Sequence, residues 1–192
     1  MTPMRHLLIA LCVSLLTLVP PTWIDKQLAP WLPRAEASFA GQPLTEDEAK
    51  ALAYQLVPGL AKVDFTIIIT TSDDPNAYFA WDDGMLAEKP SAVIVLRGLQ
   101  GFPRQTQLLV FLHELDHANQ WLNAGFESRI IDTEWEADVQ GVKWACELGQ
   151  DSRWVPYFWV WLWHNQGYSG DSNHPLASQR ISLENMCPAD RF

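Results

Sequence analysis

Basic residues, cysteines and long apolar runs are scarce in this sequence, and their scarcity excludes several classes of protein. Lysine and arginine number 13 against 23 acidic residues, so the formal net charge is -10. A nucleic-acid-binding protein would show a basic patch, which is lacking here. The apolar runs are too few for a multi-span membrane protein, and no segment repeats with a period of about 20–50 residues. Because 48% of the 192 residues are hydrophobic, the composition is that of one globular domain.

The longest apolar run lies at the N-terminus. Residues 7–19 read LLIALCVSLLTLV and follow a basic residue, which is typical of a signal peptide. The run extended to residues 7–24 is marginally long enough for an uncleaved anchor and is the candidate for membrane association. A proline-rich segment follows. We predict a signal peptide or N-terminal anchor plus linker over residues 1–37, a functional domain over residues 38–192, and export of the protein.

The sequence has three cysteines, and two of them lie beyond the leader, at Cys146 and Cys187. Two cysteines can pair in an oxidising compartment. Their separation along the chain does not show whether they are close in space. A disulfide and two buried free thiols therefore both stay open.

Beyond the linker, the turn residues and the apolar periodicity predict one helix, then strands, then more helices. Thr45 is a candidate N-cap ahead of three acidic residues, and Pro58 is expected to end that helix. The predicted strands cover residues 63–71, 78–81 and 92–97, and the later helices cover about residues 104–123, 132–148 and 155–165. This order is typical of an α+β fold.

One motif with a chemical meaning lies inside the first long helix, where residues 113–117 read HELDH. In this H-E-x-x-H pattern, His113 and His117 share one helix face and can bind the same metal ion. Neutral imidazole is a good ligand for zinc. Glu114 is placed to take a proton from an attacking water and later give it to a leaving amine.

A catalytic zinc needs a third protein ligand, and the best candidates lie in EWEAD at residues 134–138. Glu134 and Asp138 are four residues apart and share a helix face, whereas Glu136 points about 200° away. The simplest assignment makes Glu134 the ligand and Asp138 the acceptor that orients a ligand histidine. Glu136 and Asp138 stay open as alternative ligands.

Three segments in this order resemble one peptidase family. HELDH, EWEAD and HPLASQRI at residues 174–181 are similar to the H-E-x-x-H, E-x-x-A-D and H-P-x-x-x-x-R motifs of gluzincin metallopeptidases. That family includes the CAAX prenyl proteases and the bacterial heat-shock membrane proteases, and soluble periplasmic relatives share the order. HELDHANQ also resembles small metallopeptidase-like proteins. The resemblance covers about residues 104–182.

The resemblance implies a small zincin-like α+β domain, with a short mixed sheet packed on the H-E-x-x-H helix and on further helices. It implies that His113, His117 and Glu134 bind zinc. It also implies that Glu114 is the general base and acid.

The late motif adds two residues. The resemblance implies that His174 and Arg180 lie near the substrate and the wall of the active site, and that Asp138 supports a ligand. His174 is accordingly the preferred donor to a developing oxyanion. The short gap between His117 and Glu134 departs from the membrane members of the family, which insert spanning helices there. We therefore expect this chain to share the chemistry of the family but not a membrane-embedded substrate.

Other residues are candidates for the surroundings of the site. The strand at residues 92–97 is predicted to be the edge strand that pairs with the substrate. Arg97 at its end fits a surface charge better than a contact to a substrate carboxylate. His164 and Tyr168 are weaker candidates for oxyanion donors. Four tryptophans in residues 154–163 predict packing around the metal helices, with a substrate-binding wall as the alternative.

Together these features predict a zinc-dependent endopeptidase that acts on a protein or peptide substrate and has no nucleic-acid partner. Zn²⁺ is the predicted cofactor. Two alternatives stay open: a non-catalytic binding module that contains zinc, and a metal-dependent amidase that acts on a non-protein substrate. The sequence does not indicate an oligomeric state.

Overall fold

The computed structural model describes residues 42–82, 90–124, 131–150, 177–180, 182–183 and 186–187. The leader predicted at residues 1–37 and the aromatic helix predicted at residues 155–165 lie outside these ranges. His164, Tyr168 and His174 lie outside them as well. The assignments made for these segments stay predictions.

Helix α1 (Glu46–Leu56) begins where the capping signal predicts it. The Thr45 hydroxyl accepts a hydrogen bond from the backbone N–H of Glu48 at 3.2 Å. The three acidic residues of the first turn also interact favourably with the positive end of the helix dipole. After α1, Pro58 begins a short 3-10 helix (Pro58–Lys62), because a proline is tolerated in the first turn but not inside an α-helix. This part of the prediction is confirmed.

Three strands form one mixed sheet. They are β1 (Asp64–Thr70), β2 (Asn76–Asp82) and β3 (Ser91–Arg97). Their spatial order is β1-β3-β2, with β3 parallel to β1 and antiparallel to β2. The register places Ile94 of β3 between Ile67 and Phe79. The sheet therefore has its most apolar strand in the middle.

The prediction that β3 is the edge strand is wrong. β3 has a partner on each side, and within the described residues β2 is the edge strand nearer to the long helices. The burial of β3 gives the physical reason. Ile94 and Leu96 are buried on the face turned to the helices, and Val95 on the other face is also buried. A strand buried on both faces carries a continuous apolar run, which is typical of the centre of a sheet.

Helices α2 (Arg104–Ala124) and α3 (Ile131–Glu147) pack against each other. Buried apolar side chains of α2 join the core beneath the sheet, among them Leu108, Phe111, Leu112 and Leu115. At the contact of the two helices, a Cβ atom on Gly141 would lie 3.2 Å from the backbone nitrogen of His113. The missing side chain of Gly141 therefore sets how closely α3 approaches the H-E-x-x-H segment.

The end of α3 is joined covalently to a later segment. Gly149 adopts a φ of 73°, and the next N–H, that of Gln150, returns to the carbonyl of Ala145 at 2.8 Å. Just before this cap, Cys146 forms a disulfide with Cys187. The sequence left open whether these two cysteines are paired or free, and in the structure they are paired.

A four-residue helix, α4 (Ala177–Arg180), precedes the second cysteine of this disulfide. The two half-cystines form a small second core with Val142 and Leu183, and Trp135 packs at its edge. The disulfide and this core hold the end of α3 against the segment that follows α4.

The α+β prediction is confirmed by three longer helices and a small mixed sheet. Within the part of the chain that the structure describes, none of the helices combines the length and the hydropathy that a membrane span needs. The helices α2 and α3 bring four of the candidate site residues together, namely His113, His117, Glu134 and Asp138.

Candidate metal centre

Two histidines of α2 turn their rings toward each other and toward α3. The Nε2 atoms of His113 and His117 lie 3.1 Å apart. Their spacing of four residues places both rings on one helix face. The opposite face of α2 is apolar and buried in the core, so packing fixes the direction in which the two imidazoles point.

Glu134 on α3 reaches both rings. Its Oε2 lies 3.2 Å from Nε2 of His113, and its Oε1 lies 3.4 Å from Nε2 of His117. The side chains of His113, His117 and Glu134 are only 12%, 18% and 19% exposed, respectively. The three residues therefore form a compact and largely shielded group of ligand-type atoms.

The spacing of these atoms is compatible with binding of one zinc ion. A zinc ion about 2.0–2.1 Å from each ligand, with tetrahedral angles, separates the ligand atoms by about 3.3 Å. The two Nε2 atoms lie 3.1 Å apart, and each lies 3.2 or 3.4 Å from a different oxygen of Glu134, so these separations fall around this value. Two imidazoles and one carboxylate are also a donor set that suits zinc and leaves one position open in a tetrahedron. The residues present therefore fit the metal.

A buried ion pair stands behind the first histidine. Oδ1 of Asp138 lies 3.0 Å from Nδ1 of His113, and Oδ2 of the same carboxylate accepts a hydrogen bond from Nε of Arg180 at 2.5 Å. Asp138 and Arg180 are both buried. Because a carboxylate only accepts hydrogen bonds, Nδ1 of His113 carries the proton, and a neutral ring directs the lone pair of Nε2 into the cluster.

Charges around the cluster shift two pKa values in the metal-free chain. Burial opposes the charged form of His113, but hydrogen bonds to Asp138 and Glu134 outweigh it and raise the pKa of His113 to about 10. Burial also opposes the charge of Glu134, yet hydrogen bonds from His113 and His117 hold the pKa of this carboxyl well below its usual range. A metal ion held by these residues would require the neutral form of His113 and would therefore displace this proton.

The two acidic residues inside the motif are both buried but are arranged differently. Glu114 is 7% exposed and lies about 60° from His117 around the axis of α2, next to the ligand face. Asp116 accepts hydrogen bonds from the side-chain amides of Asn119 at 3.0 Å and Gln120 at 2.8 Å. Both of these contacts run along the helix that carries Asp116.

The remaining candidates differ in position. Glu136 is exposed and takes no part in the His113–His117–Glu134 group. Arg97 forms a surface ion pair with Asp74, with 2.8 Å between Nη2 and Oδ2, which agrees with the surface charge expected for it. His174, the predicted oxyanion donor, lies outside the described residues and stays a prediction.

Two structural features near the site were not predicted from the sequence. A glycine inside a helical pattern is a signal of close approach, and Gly141 carries that signal. The second is the contact of Phe79 on β2 with Trp121 on α2, whose ring centroids are 6.0 Å apart. No sequence signal pairs these two rings, because the contact depends on the order of the strands.

Comparison of the chain with models of protein families, with curated proteins and with solved structures finds no significant match. Any functional conclusion therefore depends on the chemistry and geometry of the residues described above.

Proposed function

We propose that this chain is a zinc-dependent endopeptidase with a zincin-like catalytic domain. The observation that supports the proposal is the group formed by His113, His117 and Glu134, in which the two Nε2 atoms lie 3.1 Å apart and each lies within 3.4 Å of a Glu134 oxygen. Three ligands of this kind with one open position are typical of catalytic rather than structural zinc. The resemblance of the three motifs to gluzincin peptidases points to the same chemistry.

The residues around the group have separate roles in this proposal. Zinc held there supplies Lewis-acid polarisation of a carbonyl and makes water more acidic. Glu114 takes a proton from the attacking water and passes it to the leaving amine. Asp138 holds the His113 ring in the binding tautomer, and Arg180 holds Asp138.

One strand of the sheet, β2, is suited to pair with the backbone of an extended substrate. Within the described residues β2 pairs with β3 alone, and β2 is the strand that packs most closely on α2. An extended peptide can add to such an edge through main-chain hydrogen bonds. We therefore assign to β2 the role that the sequence had given to β3.

The disulfide supports the proposed export. A bond between Cys146 and Cys187 persists in an oxidising compartment and is rare in the cytosol of mesophiles. The basic residue and the apolar run at the N-terminus are typical of a signal peptide that directs a protein to such a compartment. Both features favour a periplasmic or secreted protein, either cleaved after the leader or anchored by it.

The decisive experiment separates metal binding from catalysis. In Glu114→Gln, the ligands His113, His117 and Glu134 are untouched, so we expect one zinc per chain by elemental analysis. Peptide cleavage should fall by about 100-fold or more, because general acid–base catalysis contributes that much. In Glu134→Gln, we expect zinc affinity itself to fall.

Glu136→Gln is the matched control, because Glu136 is an exposed carboxylate on the same helix as Glu134. It should keep both zinc and activity. A zinc-loaded Glu114→Gln protein that cleaves an identified peptide at the wild-type rate would contradict the proposal. Hydrolysis of non-peptide amides alone would favour the amidase alternative, and a fourth protein ligand on the zinc would favour the binding module.

A further inference from the structure

A row of three aromatic side chains joins the edge strand to the metal helix. Phe79 and Trp81 lie on the same face of β2, with stacked rings whose centroids are 5.6 Å apart. Phe79 in turn contacts Trp121 on α2 at 6.0 Å. We refer to Trp81, Phe79 and Trp121 as the aromatic row.

The aromatic row ends beside the candidate metal centre. Trp121 is four residues after His117, so it lies about 6 Å further along α2 and about 40° around its axis. Glu114 falls in the same sector, about 60° from His117. Side chains of a helix lean toward its N-terminus, which turns Trp121 toward His117. Trp121, His117 and Glu114 therefore lie within about 60° of one another around the axis of α2.

The three side chains of the aromatic row are more accessible to solvent than the residues of the core. Trp81 is 38% exposed, and Phe79 and Trp121 are half-buried. A hydrophobic ring system that stays accessible beside a reactive centre is a typical feature of a ligand-binding surface. The exposed end of the row lies on the strand to which an extended peptide would add.

We propose that the aromatic row is a substrate subsite that takes one aromatic side chain of an extended peptide. The inference rests on the proposed peptidase function and names the substrate class for it. Side chains of an added strand alternate between the two faces of the sheet, so one of them is placed over the row. Aromatic rings prefer stacked or edge-on partners at centroid distances of about 4.5–7 Å, which the row offers.

Charge adds a second preference for the same peptide. The chain carries 23 acidic and 13 basic residues, and Asp82 follows Trp81 directly at the end of β2. Glu114, which is buried, lies in the same sector of α2 as Trp121. A peptide with basic residues flanking its aromatic side chain is therefore preferred over one with acidic flanks.

Binding to the zinc-loaded Glu114→Gln protein tests the subsite without requiring turnover. The probes are fluorescein-labelled peptides of Gly, Ser and Lys with one Phe, and twins in which Ala replaces that Phe. We expect the Phe peptide to bind about tenfold more tightly, as burial of one aromatic side chain provides. Trp81→Ala and Phe79→Leu should remove most of this difference.

Tyr78→Ala is the matched control. Tyr78 is an exposed aromatic residue of the same strand, but it lies on the face opposite to Phe79 and Trp81. The preference for Phe should survive in this variant. Equal binding of the two peptides, no binding of either, or loss of the preference in Tyr78→Ala would overturn the subsite.

The same peptides offered to the wild-type zinc protein separate the two proposals. Selective binding without any cleavage would contradict the peptidase function and leave the subsite supported. Cleavage that is equally fast for the Phe and Ala peptides would overturn the subsite and leave the peptidase supported. Circular dichroism of each variant confirms that a lost preference does not reflect a lost fold.

Discussion

His113 uses both ring nitrogens, each of which faces a carboxylate. Nδ1 faces Asp138 and Nε2 faces Glu134 at 3.0 and 3.2 Å. In the metal-free chain the two carboxylates favour an imidazolium. A metal at Nε2 requires the neutral ring, and then the bond to Asp138 keeps the proton on Nδ1. The proton and the proposed metal would therefore compete for one nitrogen.

This competition predicts opposite pH dependences for the metal-free and zinc-loaded chains. The pKa of His113 is raised from 6.5 to about 10, so its stabilising contribution is complete below pH 6.5 and is lost as the pH rises toward 10. The pKa of Glu134 lies below its ordinary value of 4.5, so the ionised side chain stabilises the fold above pH 4.5. This contribution is lost in acid. With EDTA, the melting temperature should fall above pH 6.5.

With zinc the melting temperature should instead rise from pH 6.5 upward, because binding releases the proton of His113. Melting curves over that pH range, with EDTA and with excess zinc, measure both effects. In Glu136→Gln, the melting temperature should depend on pH as in the wild type, both with EDTA and with zinc. In Asp138→Asn, the fall of the melting temperature with pH in EDTA should be smaller. Parallel slopes with and without zinc would show that the proton and the metal do not share this nitrogen.

At the scale of elements, the site depends on how closely α3 packs on α2. Glu134, Asp138 and Gly141 recur at spacings of four and three residues, which places them on one helix face. Two of them contact His113, and the third allows the backbone of α2 to come near. A Cβ atom at Gly141 would meet backbone atoms of His113 and Leu112 at 3.2–3.5 Å.

Gly141→Ala is therefore expected to weaken zinc binding by about tenfold, as loss of support around a metal typically does. The added methyl group pushes α3 away from His113 and carries Glu134 and Asp138 with it. Alanine gains about 1 kcal/mol in helix propensity, but overpacking costs about 1–3 kcal/mol, so stability falls little. Competition with a zinc chelator and thermal melting measure the two effects separately.

Gly101→Ala is the control, because a Cβ atom there meets nothing within 4 Å and no positive φ is required. It should leave the zinc affinity unchanged. If Gly141→Ala bound zinc as tightly as the wild type, close packing of the helices would not be what positions the ligands.

The elements that local signals specify were predicted correctly, whereas their arrangement was not. Thr45 and Pro58 mark the ends of α1 through hydrogen-bonding groups that lie within the segment itself. The position of β3 in the middle of the sheet depends on pairing with β1 and β2, which no local pattern encodes. Periodicity placed Glu134 and Asp138 on one face, and the structure brings that face onto His113.

The contacts between distant segments could not be predicted from spacing alone. Arg180 contacts Asp138 across 42 positions of the chain, and only the resemblance to gluzincins had placed both near one site. Cys146 and Cys187 are separated by 41 positions, and an even count of cysteines does not give their distance. Such contacts follow from the packing of the whole domain rather than from propensity.

At the scale of the whole molecule, the disulfide is expected to hold the segment with Arg180 against α3. Closure of a loop of 41 positions stabilises the fold by about 4 kcal/mol in the chain-entropy description. The small core of Val142 and Leu183 lies against this bond. Reduction should therefore lower the melting temperature by about 10 °C and loosen the Asp138–Arg180 pair.

The measurement is thermal unfolding with and without a phosphine reductant, beside the variant in which both Cys146 and Cys187 are changed to Ser. That variant should melt like the reduced wild type and should not respond to the reductant. Because Asp138 orients His113, the reduced protein should also bind zinc more weakly, which chelator competition detects. Titratable thiols assigned to Cys146 and Cys187 in protein purified under oxidising conditions, or an unchanged melting temperature after reduction, would show that this bond does not stabilise the native fold. In that case the buried pair of Asp138 and Arg180 would have to be held by packing alone.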